Sequence, residues 1–331
     1  MQKPFIIIDG HCDTLSKALE NRRNLDCYPE AQADFIRLVQ EGVKLQFFAV
    51  FVSPRIFPPA SVLSSCLEQI EFFFQQKEKF PQYVYHVRFR EDLEQVAASP
   101  KTGCLLAVEG GDCLEGNLFI LHLLYRLGVR SLGLTWNYRN QLGDGVEESL
   151  SQGGLTRFGR QVVEEMNRLG MLIDAAHLSE RGFFDVLAIS SSPIIVSHAN
   201  CQALWDHPRN LGDHQLQALA ENGGLVGITF VPQFLGKDDC GIEQVVEHIL
   251  HACTVMGPEH VGIGSDFDGT AALVPGLEGA ERWGNLIQAL QKRGIPDSII
   301  RAILGENYFR ILNKVLKSRK ETEKLLGTSL L

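Results

Sequence analysis

No Cys-x-x-Cys pair occurs among the eight cysteines of this 331-residue chain, which excludes a paired-cysteine metal or redox motif. Cys12, Cys27, Cys66, Cys104, Cys113, Cys201, Cys240 and Cys253 are scattered, several of them in apolar runs, and read as buried, reduced thiols. Also missing is an uninterrupted apolar stretch of the roughly 18 residues that a membrane-spanning helix needs. Positive charge is in deficit: 31 Lys and Arg face 40 Asp and Glu, a net charge of -9, which argues against a nucleic-acid partner. The N-terminus runs into Phe5 to Ile8 without a charged leader or small-residue cleavage site, and the terminal KSRKETEKLLGTSLL is too short and too charged to anchor. These absences lead to the expectation of a cytoplasmic protein with no membrane partner. No Ser/Gly/Pro linker, composition break or internal repeat divides the chain, so residues 1–331 are expected to form one domain, with a C-terminal helix and tail from about residue 297.

What is present is a hydrophobic fraction of 45%, enough for an ample core, arranged as short apolar runs alternating with segments of helical period. Eight runs read as strands: Phe5 to Ile8, Leu45 to Val52, Cys104 to Val108, Ser131 to Thr135, Met171 to Ala175, Ile194 to Ser197, Leu225 to Phe230, and Val261 to Gly264. Tyr83 to Phe89 reads as an accessory strand. Helices are expected over Ala31 to Glu41, Ser61 to Lys79, Thr156 to Leu169, Asp213 to Asn222 and Ser298 to Val315. Eight strand–helix units in one domain of this size predict a (β/α)8 TIM barrel, an α/β fold in which chemistry sits at the C-terminal ends of the strands.

That prediction directs attention to the residues closing each run. The first ends with His11 and Asp13, which point the same way if the strand continues. Glu109 closes the third, His177 follows the fifth, His198 closes the sixth, and Asp266 and Asp268 follow the eighth. A lone His after a strand is more often a hydrogen-bonded loop residue than a ligand, and a lone Glu before Gly-Gly can simply solvate a turn. Converging on one barrel mouth, however, so many titratable groups would repel or desolvate one another without a cation, and His with carboxylates is the donor set of zinc.

One zinc with an open position usually takes three protein ligands, so the count suits two ions. His11 with Asp13 would hold one, His177 with His198 the other, and Glu109 could bridge them with its two oxygens. A hydroxide shared by ions roughly 3.5 to 4 Å apart would be a nucleophile near neutral pH, which is hydrolase chemistry. Asp266 is surplus to ligation and is expected to shuttle the proton from the attacking water to the leaving amine. Asp268, before Gly269, reads as a turn or cap. Arg209, in WDHPRNLGD, carries a planar fork suited to a substrate carboxylate, although the local sequence alone favours a surface arginine. His207, His214, His248 and His251 read as structural or exposed.

Six segments in this order, DGHCDT at Asp9 to Thr14, VEGG at Val108 to Gly111, LIDAAHLS at Leu172 to Ser179, SHAN at Ser197 to Asn200, RN at Arg209 and Asn210, and GSDFDG at Gly264 to Gly269, give the chain a close resemblance to the membrane dipeptidase (renal dipeptidase) family of zinc peptidases, in its cytoplasmic bacterial-type form. The resemblance implies a (β/α)8 barrel of the amidohydrolase-like type holding two zinc ions per chain. It implies cleavage of dipeptides, often with a D-residue at the C-terminal position, and a possible homodimer. It sets His11 and Asp13 on one zinc, His177 and His198 on the other, Glu109 on the bridge, Asp266 on the acid/base position and Arg209 on substrate. One departure concerns substrate. Many relatives carry a His after the fourth run that helps stabilise the tetrahedral intermediate, whereas LTWNYRN places Trp136 there, and indole cannot become cationic. Either Asn137 or Asn140 then supplies a neutral donor, or the substrate differs.

The alternative is another amidohydrolase-type metal hydrolase acting on a small amide or N-acyl amino acid. Such relatives usually open with His-x-His and bridge their metals with a modified Lys after the fourth strand. Here the opening is His-x-Asp and no Lys stands there, which leaves Glu109 for the bridge. A barrel that keeps metal only for structure would not need Asp266.

Overall fold

The computed structural model describes residues 5–56, 61–237 and 240–327. Nine strands form one sheet: β1 (Ile7–Cys12), β2 (Val43–Phe51), β3 (Val84–His86), β4 (Thr102–Glu109), β5 (Val129–Gly133), β6 (Leu172–Asp174), β7 (Ile195–Ala199), β8 (Leu225–Ile228) and β9 (Val261–Ile263). All pairings are parallel, and β2 meets β4 directly, so β1-β2-β4-β5-β6-β7-β8-β9 closes into an eight-stranded barrel wrapped by helices. All eight expected runs are barrel strands. The accessory strand is β3, shortened to three residues, which pairs with the entry half of β4 on the edge that β5 takes over higher up.

Side-chain alternation along the strands sorts the core into two layers. In β4, Cys104, Leu106 and Val108 face the surrounding helices, while Leu105 and Ala107 face the barrel interior with Ile8, Leu45, Phe47, Leu172, Ile195 and Leu225. The same parity carries Glu109 and, in β2, Phe51 onto the axis at the C-terminal mouth.

The opposite end is closed by the chain's last long helix. It runs Asp297–Arg301, a π-helical stretch Ala302–Glu306, and Asn307–Val315, and Tyr308, Ile311, Leu312 and Val315 join the interior cluster from below. Tyr308 fits because three strands carry glycine where it enters. A Cβ would lie 1.9 Å from its Oη at Gly10, 2.7 Å from it at Gly227, and 2.6 Å from a ring carbon at Gly262. At such distances the phenol and the β-carbons exclude one another.

Two sequence expectations need correction. The helix expected over Ala31 to Glu41 is Phe35–Gln40, because the Asp34 side chain accepts from Arg37 N at 2.8 Å and from Tyr28 N at 3.1 Å, so Asp34 caps the helix and the chain before it is a turn. Cys27, in the loop leading to that turn, is exposed; six other cysteines are buried, Cys253 is partly so, and none forms a disulfide. Among the described residues no helix is long and apolar enough to cross a membrane.

Candidate metal centre

His11, Asp13, Glu109, His177, His198 and Asp266 leave six chain positions and meet at the C-terminal mouth. Strand geometry alone does not bring them together. Parity along β1 and β7 would turn His11 and His198 away from the axis that Ile8 and Ile195 face, but the register slips between Asp9 and Cys12 and between Val196 and Ala199. Such irregularities re-aim side chains beside active sites. Asp13 is not an extension of β1: at φ -99° and ψ 12° it is already the residue before the helix Thr14–Glu20. His177 and Asp266 both lie beyond their strands in the left-handed region, at φ 65° each, where a side-chain-bearing residue is uncommon and held by its surroundings. Asp268, at φ 68°, is the turn residue expected: it accepts from Thr14 Oγ1 at 2.6 Å, Lys17 Nζ at 2.8 Å and Gln32 N at 2.8 Å. Gly269 lets the chain pass close to the centre, since a Cβ there would sit 2.1 Å from Asp266 Oδ1 and 2.4 Å from Asp13 Oδ2.

The donor atoms divide between the two oxygens of Glu109. Oε2 lies 3.5 Å from His11 Nε2, which is 3.2 Å from Asp13 Oδ2 and 4.0 Å from Asp266 Oδ1. Oε1 lies 2.9 Å from His177 Nε2 and 3.8 Å from His198 Nε2, and the two imidazole nitrogens are 2.8 Å apart. Two overlapping triads, His11–Glu109–His198 and His11–Asp13–Asp266, have all their ligand atoms within 4.8 Å of one another.

Hydrogen bonds set the imidazoles for ligation. His177 Nδ1 donates to Asn137 Oδ1 at 2.6 Å, which leaves the neutral ring's lone pair on Nε2, facing the cluster. His198 is held through Nδ1 by Ser197 Oγ at 2.8 Å. Asp174 Oδ1 accepts from Ala176 N and Ser197 N, both at 3.0 Å, fastening the ends of β6 and β7. Beneath His11, the buried Asp9 accepts from Ser265 N at 2.8 Å, Ser265 Oγ at 2.6 Å, Gln46 Nε2 at 2.9 Å and His11 N at 3.4 Å.

Electrostatics make the same point. Burial pushes the Glu109 carboxyl up to about 8 and that of Asp266 up to about 6. Burial opposes charge on His11 as well, yet Glu109, Asp13 and Asp266 overcome it and raise His11 to about 10. His177 and His198 go the other way, held well below the usual range by burial and by the positive charge of Arg209 and His11. Crowded carboxylates that would rather keep protons, beside imidazoles that stay neutral, form a donor set that a divalent cation satisfies. The residues present therefore fit a metal.

The mouth is a cavity of about 840 Å³ lined by Asp13, Glu109, Trp136, Asn137, His177, His198, Arg209 and Asp266 among others, and a second cavity of about 630 Å³ adjoins it through Glu147, His177 and Arg209. Arg209 is 6% exposed. Its Nη2 donates to His198 O at 2.9 Å, and its Nε has no hydrogen-bond partner among the described residues. Burial lowers it to about 10 while Asp266, Glu109 and Asp174 pull it back up, so the guanidinium remains a cation. Arg209 is thus not the surface residue that its local sequence favours.

The two candidate amide donors for the oxyanion are placed differently. Asn140 donates its amide to Leu134 O at 2.9 Å and to Asp112 Oδ2, in the segment after β4, at 3.1 Å, and its carbonyl accepts from Leu142 N at 2.7 Å. Asn137 lines the mouth, where its carbonyl accepts from His177 Nδ1 and that bond orients the amide that would donate. His207 also lines the mouth, with Nδ1 accepting from Arg209 N at 3.1 Å, where the sequence suggests only a structural residue. His214, His248 and His251 stand apart, paired with Glu180, Leu235 O and Asp213. Sequence reasoning misses the roles of Asp9, Ser197 and Ser265. For Asp9 a signal exists, a carboxylate inside an otherwise apolar run; the two serines carry none.

Comparison with known proteins gives the same reading. The profile of the membrane dipeptidase family (peptidase family M19) matches residues 1–325. Dipeptidase tcpJ of Claviceps purpurea (strain 20.1) is 34% identical over 292 residues, covering 85% of this chain and 69% of the relative. Dipeptidase verJ of Clonostachys rogersoniana is 35% identical over 269 residues, 80% of this chain and 69% of its own length. A metallo peptidase from Rhodobacter sphaeroides, solved with a phosphinate mimic of the dipeptide L-Ala-D-Ala, superposes with a TM-score of 0.87 at 28% identity over 95% of this chain and 100% of that one. With its barrel and its converging His and carboxylate donors, the chain belongs to the membrane dipeptidase family, peptidase family M19, and is a metal-dependent hydrolase.

Proposed function

We propose that the protein is a two-zinc dipeptidase acting on short peptides with a free C-terminal carboxylate, including those ending in a D-residue. The observation that carries the count of two is the division of donors between the oxygens of Glu109, with His11 at Oε2 and His177 and His198 at Oε1. In this reading His11 and Asp13 hold one ion, His177 and His198 the other, and Glu109 joins them. Bound there, the ions would supply Lewis acidity toward the scissile carbonyl and make a water molecule acidic enough to attack near neutral pH.

The chain's own residues do the rest. Arg209, buried with a free Nε, binds the substrate carboxylate and orients the dipeptide. Asp266, on the mouth and held in place by the turn that Asp268 closes, accepts the proton of the attacking water on its carboxylate and returns it to the leaving amine. Asn137 and Ser197 keep the two imidazoles turned toward the centre. The relative solved with an L-Ala-D-Ala mimic supports the substrate class, including the D-residue.

Metal analysis of protein purified without chelator should find about two zinc ions per chain, following the two-metal logic. A panel of L-L and L-D dipeptides followed by amine release should show hydrolysis. One ion per chain would overturn the count, and activity only toward small amides or N-acyl amino acids would move the protein to another kind of amidohydrolase.

A further inference from the structure

The mouth is chemically lopsided. Around the closed barrel, β2 and β7 lie four strand positions apart and so stand opposite each other. On the β7 side sits Arg209. On the β2 side the wall is apolar: Phe51 faces the axis by strand parity, and Ile56, in the turn beyond it, is 57% exposed and lines the same cavity. Trp136, arriving from the end of β5, completes this wall with its ring edge-on to Phe51 at 5.3 Å. The indole is also braced by Tyr138 at 5.6 Å, whose own outer face carries the Arg55 guanidinium at 4.4 Å. The indole stands 6.1 Å from the His177 ring, so the wall reaches down to the metal donors.

We propose that Trp136, Phe51 and Ile56 form the pocket for the side chain of the substrate's N-terminal residue and select large apolar or aromatic side chains there. This rests on the dipeptidase reading. With the carboxylate at Arg209 and the scissile carbonyl over the donor cluster at the centre, the remaining half of a dipeptide must extend away from β7, toward β2 and β5. An apolar side chain gains there by leaving water against the indole and phenyl faces, whereas a charged one would lose hydration against them. Trp136 then acts as a specificity-determining residue in place of a polar contact.

The test is kcat/KM for two dipeptide series, one varying the N-terminal residue (Gly, Ala, Leu, Phe, Glu) before a fixed Ala and one varying the C-terminal residue after a fixed Leu. The wild-type protein should favour Leu and Phe over Gly at the N-terminal position by about 10- to 100-fold, the scale of burying one large apolar side chain. Trp136→Ala should reduce that ratio to within about threefold while leaving the C-terminal series in its original order, and Trp136→Phe should restore most of it. Phe51→Ala gives an independent reading if Trp136→Ala does not fold, and metal content and melting temperature separate loss of the wall from loss of the centre. Hydrolysis with a flat N-terminal profile, or a profile that neither variant changes at normal metal content, overturns this inference alone. Absence of hydrolysis of every dipeptide overturns the dipeptidase reading with it.

Discussion

At the scale of single residues, the centre separates into atoms that would touch metal and atoms that aim them. The five proposed metal donors and Asp266 are legible in the sequence because each is a polar residue closing or following an apolar run, and the barrel rule says where such residues go. The groups that aim them are not. Ser197 and Asn137 work through one hydrogen bond each to a ring nitrogen 1 and 40 residues away, and no periodicity marks that. Nor does the sequence reveal that His177 and Asp266 take left-handed backbone angles, since both motifs read equally well as extended chain. Asp266 is the residue where structure and chemistry can be separated most cleanly. The isosteric Asp266→Asn keeps the shape of its loop but cannot accept a proton. It should retain the wild-type metal content, read by elemental analysis, and lose about 10²- to 10⁴-fold in kcat, the range of general acid–base catalysis. Near-wild-type kcat would remove Asp266 from proton transfer.

At the scale of elements, strands are easier to foresee than the ways they bend. Apolar runs mark all eight barrel strands, but the register slips that swing His11 and His198 inward depend on neighbouring strands, which one segment of sequence does not contain. Helix limits moved where a side chain intervened, as Asp34 shows. The C-terminal helix is foreseen as amphipathic, yet its use as the barrel's floor is not, because the glycines that admit Tyr308 lie some 46 to 298 residues earlier in the chain. Here a substitution distinguishes packing from hydrogen bonding. Tyr308→Ala should destabilise the protein by about 3–5 kcal/mol in denaturant unfolding, as for other large buried rings. Tyr308→Phe removes only a 3.4 Å hydrogen bond to Ser197 O and should cost about 1 kcal/mol. Equal effects of the two would mean that the phenol oxygen, not the ring, holds the floor in place.

At the scale of the whole molecule, the candidate metal centre lies on the seam where the first barrel strand meets the last. Asp13 N donates to Phe267 O at 2.7 Å and Asp266 N to His11 O at 3.2 Å, so the proposed ligands His11 and Asp13 and the residues after the last strand share one hydrogen-bonded seam. Buried carboxylates crowd that seam, and a bound cation relieves their repulsion while adding binding energy to the folded state. Chelation should therefore abolish hydrolysis and lower the melting temperature. Returning zinc to about 100 times its dissociation constant should restore about 2.7 kcal/mol. Activity lost with an unchanged melting temperature would show that the seam stands without the ion. The plug at the other end of the barrel has a bearing on how the protein is made. A ribosome delivers β1, with Gly10, almost 300 residues before Tyr308. Until that ring emerges, the three glycine-bearing strands lack the group around which they close, and their apolar inner faces stay open to other nascent chains and to chaperones. Closure of the barrel thus waits on Tyr308: the donors proposed on β1 are made long before the floor beneath them.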